Sequence, residues 1–203
     1  MKEYPTIDRP PQNVPIYAFD KLDGSNIRAE WTRKRGFFKF GSRKRLVGED
    51  DPLLGKAQSL ILAKYADDLE RIFRKQRWQK AVCFFEYYGP NSFAGWHDPE
   101  DEHVVTLFDV AGDRKGLLEP RPYLKLFGDL DVAPLLYHGN ANSELIAAVR
   151  ESRLEGMTFE GVVCKGKSVS PGLPLMFKLK SQVWYDRLKD KCGDDETLFE
   201  ELA

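Results

Sequence analysis

Runs of apolar residues divide this chain into short strands and longer stretches with a helical period. Alternating or wholly apolar runs predict strands over 15–20, 26–31, 36–40, 81–85, 103–110, 161–165 and 175–180. Apolar positions at helical spacing predict helices from Pro52 to Phe73, over 120–128, from Asn142 to about Leu154 and from Gln182 to about Lys191. Because strands and helices mix without regular βαβ alternation, the pattern favours an α+β fold with mainly antiparallel sheets flanked by helices.

The first two predicted strands flank the dipeptide Asp23-Gly24, which is typical of the tight turn of a β-hairpin. We therefore predict that strands 15–20 and 26–31 pair with each other. Lys21 would then lie at the end of the first strand, where the chain turns. A lysine in such a turn is usually a solvated charge, so this position gains a chemical role only from the rest of the chain.

The composition is that of a globular protein, with 203 residues, 42% hydrophobic and 31% charged. We predict a single domain over 1–203. No apolar run approaches the roughly 18 residues needed to cross a bilayer, and the N-terminus lacks an apolar signal segment. The three cysteines lack CxxC spacing, so we expect reduced thiols in a cytoplasmic protein without a zinc site.

Charge is distributed unevenly, although the net charge is only −1. Residues 33–45 contain seven basic residues and no acid, and residues 71–80 contain five more, again without an acid. The last ten residues carry five acids and no base. This asymmetry predicts one face for a polyanion and an acidic tail that faces away from it; solvated faces that happen to cluster are the alternative.

Charged residues also stand at the ends of apolar strands. Glu86 and Glu160 flank such strands, and Lys178 and Lys180 project to the same face of one strand. Like charges side by side are mildly destabilising unless an anion binds between them. Together with Lys21, these residue types form a candidate phosphate-transfer site, in which the carboxylates can hold Mg²⁺ directly or through water.

A lysine nucleophile imposes a physical condition on such a site. The amine must be neutral to attack, so an ordinary lysine pKa of about 10.4 has to fall by about two to three pH units. We expect neighbouring lysines and partial burial to lower the pKa of Lys21. Attack on an α-phosphate would expel pyrophosphate and leave a lysine–nucleotide phosphoramidate. Phe108, at a strand position, is either a stacking partner for a base or a core residue.

Six short motifs follow one another along residues 17–181. They are Lys21-Leu22-Asp23-Gly24, Ser42-Arg43, Phe85-Glu86-Tyr87-Tyr88-Gly89, Leu107-Phe108-Asp109, Glu160-Gly161-Val162-Val163-Cys164-Lys165 and Phe177-Lys178-Leu179-Lys180. The series resembles motifs I, Ia, III, IIIa, IV and V of the covalent nucleotidyltransferases, which include polynucleotide ligases and mRNA capping enzymes. The resemblance implies the ligase adenylation (ATP-grasp-like) domain, with a nucleotide pocket between the sheets.

The two residues after the first motif narrow the resemblance. DNA ligases and capping enzymes usually carry arginine two positions after the glycine, whereas this chain has Ser25-Asn26. The KxDGSN form is similar to nick-joining RNA ligases of the RNA ligase 2 type. The resemblance implies that ATP adenylylates the lysine, AMP passes to a 5′-phosphate RNA end and a 3′-OH seals the strand, as in RNA repair.

The resemblance also implies which residues are catalytic. Lys21 would be the nucleophile. Lys178 and Lys180 would hold the α-phosphate and orient the departing pyrophosphate. Glu160 would serve the catalytic metal, Mg²⁺ or Mn²⁺.

Further residues would bind the nucleotide if the resemblance holds. Arg43 would contact the nucleotide or the 5′-phosphate end, Glu86 the ribose hydroxyls, and Phe108 the adenine. Leu22 and Asn26 complete the expected ATP-binding set, with Asn26 on the ribose or the nucleic-acid end.

One departure from the family concerns the grip on the substrate. Ligases of this type generally carry a further C-terminal domain, but only a short acidic segment follows Lys180. We expect the nucleotidyltransferase domain alone, without an OB or other C-terminal domain. The basic runs 33–45 and 71–80, or a partner protein, would then hold the RNA. Nicked duplex, single-stranded RNA and RNA/DNA hybrid ends are the alternative acceptors.

Three other functions compete with an RNA ligase. They are a capping-type guanylyltransferase, a DNA or hybrid nick ligase, and a non-catalytic RNA-binding protein with the same fold. Ser25-Asn26 and the expected lack of an OB domain count against the capping enzyme. The joint presence of Lys21, Glu160, Lys178 and Lys180 counts against a non-catalytic protein, because RNA binding alone needs no nucleophile.

Overall fold

The computed structural model describes residues 13–90 and 100–193, together with Asp195, Thr197 and Phe199. Its elements in chain order are β1 (Pro15–Asp20), β2 (Ser25–Thr32), β3 (Gly36–Gly41), α1 (Lys56–Lys75), β4 (Lys80–Tyr88), β5 (Val104–Gly112), β6 (Gly116–Leu117), α2 (Pro120–Phe127), β7 (Leu135–Asn140), α3 (Ser143–Arg150), β8 (Gly161–Ser170), β9 (Leu173–Lys180) and α4 (Gln182–Cys192). The predicted α+β class is confirmed. Most of the predicted acidic tail lies outside the described residues.

The strands of the described residues form two antiparallel sheets. Sheet A has the strand order β7-β1-β8-β9, and sheet B has the order β3-β2-β4-β5-β6. β1 pairs with β7 on one side and with β8 on the other. β2 pairs with β3 and β4. Sheet B is therefore built from one continuous stretch of chain, while sheet A combines β1 with strands that come much later.

The predicted hairpin between the first two strands is wrong, because β1 and β2 belong to different sheets. The Lys21 backbone N–H donates to the Gly161 carbonyl at 2.9 Å, so the end of β1 stays along β8. Gly24 instead lies against the backbone of Tyr87 on β4, where a Cβ would collide with the main chain. Residues 21–24 thus carry the chain from sheet A to sheet B, and the Asp-Gly signal marks a change of sheet.

Each sheet buries one face under helices. The core between α1 and sheet B includes Ile27, Trp31, Ile61, Phe73 and Phe85. The core between α3 and sheet A includes Ile16, Ala18, Leu145, Val149 and Phe177. Because side chains alternate along a strand, the intervening positions of both sheets point to their opposite faces. Met176 of sheet A packs there with Phe84 of sheet B, so these two faces are turned towards each other. The region between the two faces is called the cleft.

Several predicted element boundaries are wrong. The first helix begins at Lys56 and not at Pro52, because Asp51 accepts hydrogen bonds from Leu53 N and Leu54 N and so caps a separate turn. α3 ends at Arg150, and β6 and β7 were not predicted. β7 is a half-exposed edge strand with little apolar patterning. No helix in the described ranges is long and apolar enough to cross a membrane.

Candidate active site

A lysine–glutamate–lysine arrangement lies at one end of sheet A. The Nζ of Lys21 donates a hydrogen bond to Oε2 of Glu160 at 2.6 Å. The Nζ of Lys180 lies 3.3 Å from Oε1 of the same carboxylate. The Lys21 side chain keeps 23% of its surface exposed, whereas those of Glu160 and Lys180 keep 6% and 3%. Lys21 is therefore the member of the three that a reagent in the cleft can reach.

Three neighbouring strand ends bring these side chains together. Lys21 directly follows β1, Glu160 directly precedes β8, and Lys180 ends β9. In the β8–β9 ladder Gly161 stands opposite Lys180. Gly161 has φ 136°, and a Cβ there would collide with the carbonyl of Leu179. A glycine is required at this position because β9 approaches the start of β8 so closely.

The carboxylates around Lys21 decide its protonation. Burial is the largest single influence and acts to lower the pKa of Lys21, as expected. The charge and the hydrogen bond of Glu160, together with the other carboxylates nearby, outweigh burial, so the pKa of Lys21 is raised above the ordinary value and not lowered. Lys21 is a hydrogen-bonded cation near neutral pH and must lose a proton before it can attack an electrophile.

The lysines of β9 concentrate positive charge beside Lys21. Phe177 and Leu179 belong to the core under α3, so Lys178 and Lys180 share the cleft face. Burial lowers the pKa of Lys180 to about 7, although Glu160 acts to raise it. Burial and the charge of Lys21 likewise lower the pKa of Lys178. Such unfavourable crowding of cations is relieved when an anion binds.

Sheet B contributes two polar residues to the opposite wall of the cleft. Asn26 of β2 and Glu86 of β4 stand directly opposite each other in the ladder. Burial raises the pKa of Glu86 to about 8, although Lys21 acts to lower it. Glu86 is therefore mostly protonated at pH 7, so it can both donate and accept hydrogen bonds with hydroxyl groups.

Phe108 occupies a β-bulge. The β4–β5 ladder pairs Phe84 with Asp109 and Phe85 with Leu107, which leaves Phe108 as the extra residue. A bulge redirects the side chain that it carries. The half-buried ring of Phe108 lies 6.3 Å from that of Phe84 between centroids. Phe108 packs, partly buried, against both the core of sheet B and the cluster around Phe84 and Met176, in keeping with the core alternative, while stacking on a base stays a prediction.

A buried ion pair fixes this bulge to the other sheet. The Nζ of Lys165 on β8 donates to the carbonyl of Phe108 at 2.8 Å and to Oδ2 of Asp109 at 3.0 Å. The Lys165 and Asp109 side chains are 3% and 1% exposed. Both residues lie inside motifs identified in the sequence, but no local pattern indicates that they contact each other. The pair sets the position of Phe108 relative to sheet A.

The first turn of α4 contributes a second contact to Lys180, besides the one with Glu160. The Nζ of Lys180 lies 3.4 Å from the ring centre of Trp184. Ser181 caps the helix by accepting a hydrogen bond from Trp184 N at 3.1 Å, and its hydroxyl donates to the carbonyl of Phe159 at 2.7 Å. Sequence patterning treats Trp184 only as an apolar position of an amphipathic helix, and so misses this contact.

The other predicted nucleotide contacts differ in placement. Arg43 lies exposed on the loop after β3, and its charge is one of those that lower the pKa of Lys178. The Leu22 side chain packs, partly buried, against the core of sheet B.

The carboxylates of the site limit how it could bind a metal. Within the described ranges, no group of three or more His, Cys, Asp or Glu side chains is arranged to hold a metal ion. The cleft offers Glu160 and, on the other sheet, Glu86. This donor set fits a cation such as Mg²⁺, which takes most of its ligands from phosphate oxygens and water. Glu160 is the carboxylate beside Lys21 and is therefore the candidate protein ligand of the metal ion.

Comparison with known proteins gives matches in structure but not in sequence. No protein-family model and no curated protein matches this chain. An archaeal ATP-dependent RNA ligase superposes with a TM-score of 0.68 at 20% identity, over 95% of this chain and 52% of that chain. A mutant Naegleria gruberi RNA ligase with ATP and Mn gives 0.61 at 17% identity, over 88% of this chain and 52% of the ligase.

A second mutant of the Naegleria gruberi RNA ligase, with AMP and Mn, gives a TM-score of 0.62 at 17% identity, over 93% of this chain and 60% of the ligase. The chain therefore shares its fold with part of these RNA ligases. It spans between about half and three fifths of the length of these ligases.

Proposed function

We propose that this chain is the nucleotidyltransferase domain of an ATP-dependent RNA ligase of the nick-joining RNA ligase 2 type. The observation that carries the proposal is the contact of Lys21 with Glu160 and Lys180 at adjacent strand ends, within a fold that RNA ligases share. An ordinary structural ion pair would not need a partly exposed lysine that faces a cleft lined by further cations.

The first step is attack of the Lys21 Nζ on the α-phosphorus of ATP. An N–P bond forms, the bond from the α-phosphorus to the bridging oxygen breaks, and pyrophosphate leaves with the electron pair. Lys21 must first release a proton, and Glu160 Oε2, which already accepts its hydrogen bond, is placed to receive it. Lys178 and Lys180 supply positive charge where negative charge develops on the phosphates.

The nucleotide would lie between the two sheets. In this arrangement the Phe108 ring stacks on adenine, while Glu86 and Asn26 receive the ribose hydroxyls. Arg43 at the mouth of the cleft contacts the phosphates or the 5′-phosphate end of RNA. Mg²⁺ or Mn²⁺ held by Glu160 and phosphate oxygens would neutralise charge on the triphosphate.

The remaining two steps consume the adduct. A 5′-phosphate oxygen of RNA attacks the phosphorus of lysyl-AMP and releases the Lys21 amine. A 3′-OH then attacks the activated 5′-phosphate and displaces AMP, which seals the strand. We further propose that this cytoplasmic RNA-repair activity draws on a partner protein or on the basic surface of the domain to hold the RNA ends.

Parallel labelling with two nucleotides tests the proposal. Purified protein with Mg²⁺ or Mn²⁺ is incubated with α-³²P-ATP or α-³²P-GTP, and labelled protein is treated with acid. We expect acid-labile label from ATP only. Preferential labelling by GTP would indicate a capping-type guanylyltransferase, and no label from either nucleotide would indicate a non-catalytic protein. A panel of 5′-phosphorylated RNA, DNA and hybrid nicks then identifies the acceptor.

A further inference from the structure

We infer that the edge strand β3 and the loops at its ends form a track for the phosphate backbone of an RNA strand that leads to the nucleotide site. The inference rests on the proposed function. The residues of this β3 track are Arg33, Lys34, Arg35, Lys39 and Lys44. The sequence does not distinguish the basic run 33–45 from the basic run 71–80. The inference assigns RNA contact to the first run only.

The position of β3 connects the track to the site. β3 is an outer strand of sheet B, so one of its edges has no neighbouring strand in that sheet. Its C-terminal end leads to Arg43, whose charge reaches Lys178 in the cleft. Its N-terminal end begins at the turn that carries Arg33, Lys34 and Arg35.

The length of β3 suits several phosphates. At about 3.4 Å per residue, a strand of this length spans about 17 Å. A nucleic-acid strand carries one charge per about 3.4 Å of duplex axis, so this distance corresponds to about five phosphates. Basic residues at both ends and at Lys39 near the middle therefore match the spacing of a backbone better than that of a single small anion.

The charges of the track are available for an external partner. Within the described part of the chain, none of Arg33, Lys34, Arg35, Lys39 and Lys44 forms an ion pair, and all but the half-buried Lys39 are exposed. Arg45, in the same run, is excluded because it pairs with Asp51. Glu30 stands opposite Lys39 in the β2–β3 ladder and offsets part of its charge, so the positive charge of the track comes mainly from its exposed members, Arg33, Lys34, Arg35 and Lys44.

Arg71 and Arg74 of the second basic run differ from the track on both counts. The end of that run, at residues 77–80, instead adjoins the turn of the track, since Arg33 N donates to the carbonyl of Gln79 at 3.0 Å. Arg71 pairs with Asp68, and Arg74 pairs with Glu70, within α1. The apolar side of α1 packs on the face of sheet B opposite the cleft. Cations on this helix are therefore partly neutralised and are remote from the candidate active site.

A stacking surface accompanies the charges of the track. The guanidinium of Arg35 lies 4.1 Å from the ring centre of Phe38. Phe38 is itself the extra residue of a bulge, since Glu30 pairs with Lys39 and Trp31 pairs with Phe37. Unpaired RNA bases stack on aromatic rings and guanidinium planes. A bulge and a single lysine are enough to protect an edge strand from pairing with another chain. Protection of the edge therefore does not account for the three adjacent cations in the turn.

Matched triple variants test the track. The triple variant R33Q/K34Q/R35Q removes three charges from it, and R71Q/R74Q/K75Q removes three exposed charges from the other basic run. Binding to a fluorescent nicked RNA duplex with a 5′-phosphate is measured by anisotropy over a salt series without ATP. We expect the track variant to bind at least about tenfold more weakly, with a salt slope smaller by about two to three, and the helix variant to bind within about twofold of wild type.

Several outcomes overturn the track. They are an equal loss in both triple variants, no loss in the track variant, or competition by polyglutamate as strong as by RNA, which would indicate an acidic protein partner. If the triple variant fails to fold by circular dichroism, K39Q/K44Q replaces it with the same expectation at about two thirds of the change in slope.

Adenylylation with ATP, measured on the same preparations, keeps the two proposals distinguishable. If the wild-type protein binds RNA through the track but forms no adduct, the ligase proposal is overturned and the track is retained. A wild-type protein that forms the adduct but binds RNA equally well in all variants sinks the track and leaves nucleotidyl transfer standing.

Discussion

The Nζ of Lys21 and Oε2 of Glu160 lie 2.6 Å apart, although the two residues are 139 positions apart in the chain. This contact joins the end of β1 to the start of β8 and gives the lysine proton an acceptor. The second oxygen of the same carboxylate faces Lys180. Glu160 thus links Lys21 to Lys180. A substitution at any of these three residues should therefore change the electrostatic environment of the other two.

Replacing Lys21 by arginine should abolish the nucleotide adduct without unfolding the protein. Arginine keeps the positive charge and can pair with Glu160, but its guanidinium stays protonated and does not attack phosphorus. We expect no acid-labile label from α-³²P-ATP and a melting temperature within a few degrees of wild type. Labelling of this variant at the wild-type level would rule out Lys21 as the nucleophile.

Trp184 should act as a positioning residue for Lys180. A cation held against an indole face in a desolvated site gains about 2 kcal/mol, so Trp184→Leu should slow adduct formation by about tenfold or more, with little change in KM for ATP. Trp184→Phe keeps an aromatic face and should restore most of the rate.

Trp78 provides the control for that pair of variants, because it stacks on Phe73 in the core beside α1 and does not contact Lys180. Trp78→Phe should lower the melting temperature but leave the rate of adduct formation unchanged. Equal rates for the leucine and phenylalanine variants of Trp184 would show that the ring serves only packing.

The buried Asp109–Lys165 pair should be costly to break from one side. Lys165→Met leaves the Asp109 carboxylate buried without its cation, so we expect the free energy of unfolding to fall by about 3–5 kcal/mol. The double variant K165M/D109N should recover a large part of that loss. Urea unfolding measures both values, and a double variant as unstable as the single one would contradict this account.

An exposed ion pair gives the comparison for the buried one. Arg153 and Glu151 are paired with side chains that are 60% and 59% exposed. Arg153→Met should therefore cost less than about 1 kcal/mol in the same urea assay.

Glu86 should make stability depend on pH. Burial raises its pKa from the ordinary 4.5 to about 8. Between these two pH values the folded state holds a proton on Glu86 that the unfolded state has lost, so the free energy of unfolding falls as pH rises through this window. Urea unfolding at pH 5, 6, 7 and 8 should show a shallower decline for Glu86→Gln. Identical slopes for the variant and the wild type would show that Glu86 ionises normally.

Sequence patterning predicts what depends on neighbours along the chain. The shared face of Lys178 and Lys180 follows from the two-residue period of β9, and Glu160 stands directly before β8 as predicted. The pairing of β1 could not be predicted in this way, because Asp23-Gly24 shows where the chain bends but not which strands pair with β1.

Contacts between distant segments account for the remaining errors and omissions. The sign of the pKa change of Lys21 depends on a carboxylate brought to 2.6 Å by another strand. The same holds for the cross-sheet contact of Lys165 with Asp109. The hydrophobic period of a single segment contains no information about either distance. The ordered motifs indicate the chemistry because they depend only on which residues are present and in what order.

The placement of β1 between β7 and β8 has a consequence for how the protein is made on the ribosome. Sheet B needs only residues 25–117 and can pair while translation continues. β1 emerges first but must wait for both of its neighbours, since pairings across such long sequence separations form slowly. Lys21 can therefore meet Glu160 and Lys180 only after residues up to 180 have been synthesised, so a chain truncated before Glu160 lacks both partners of this lysine.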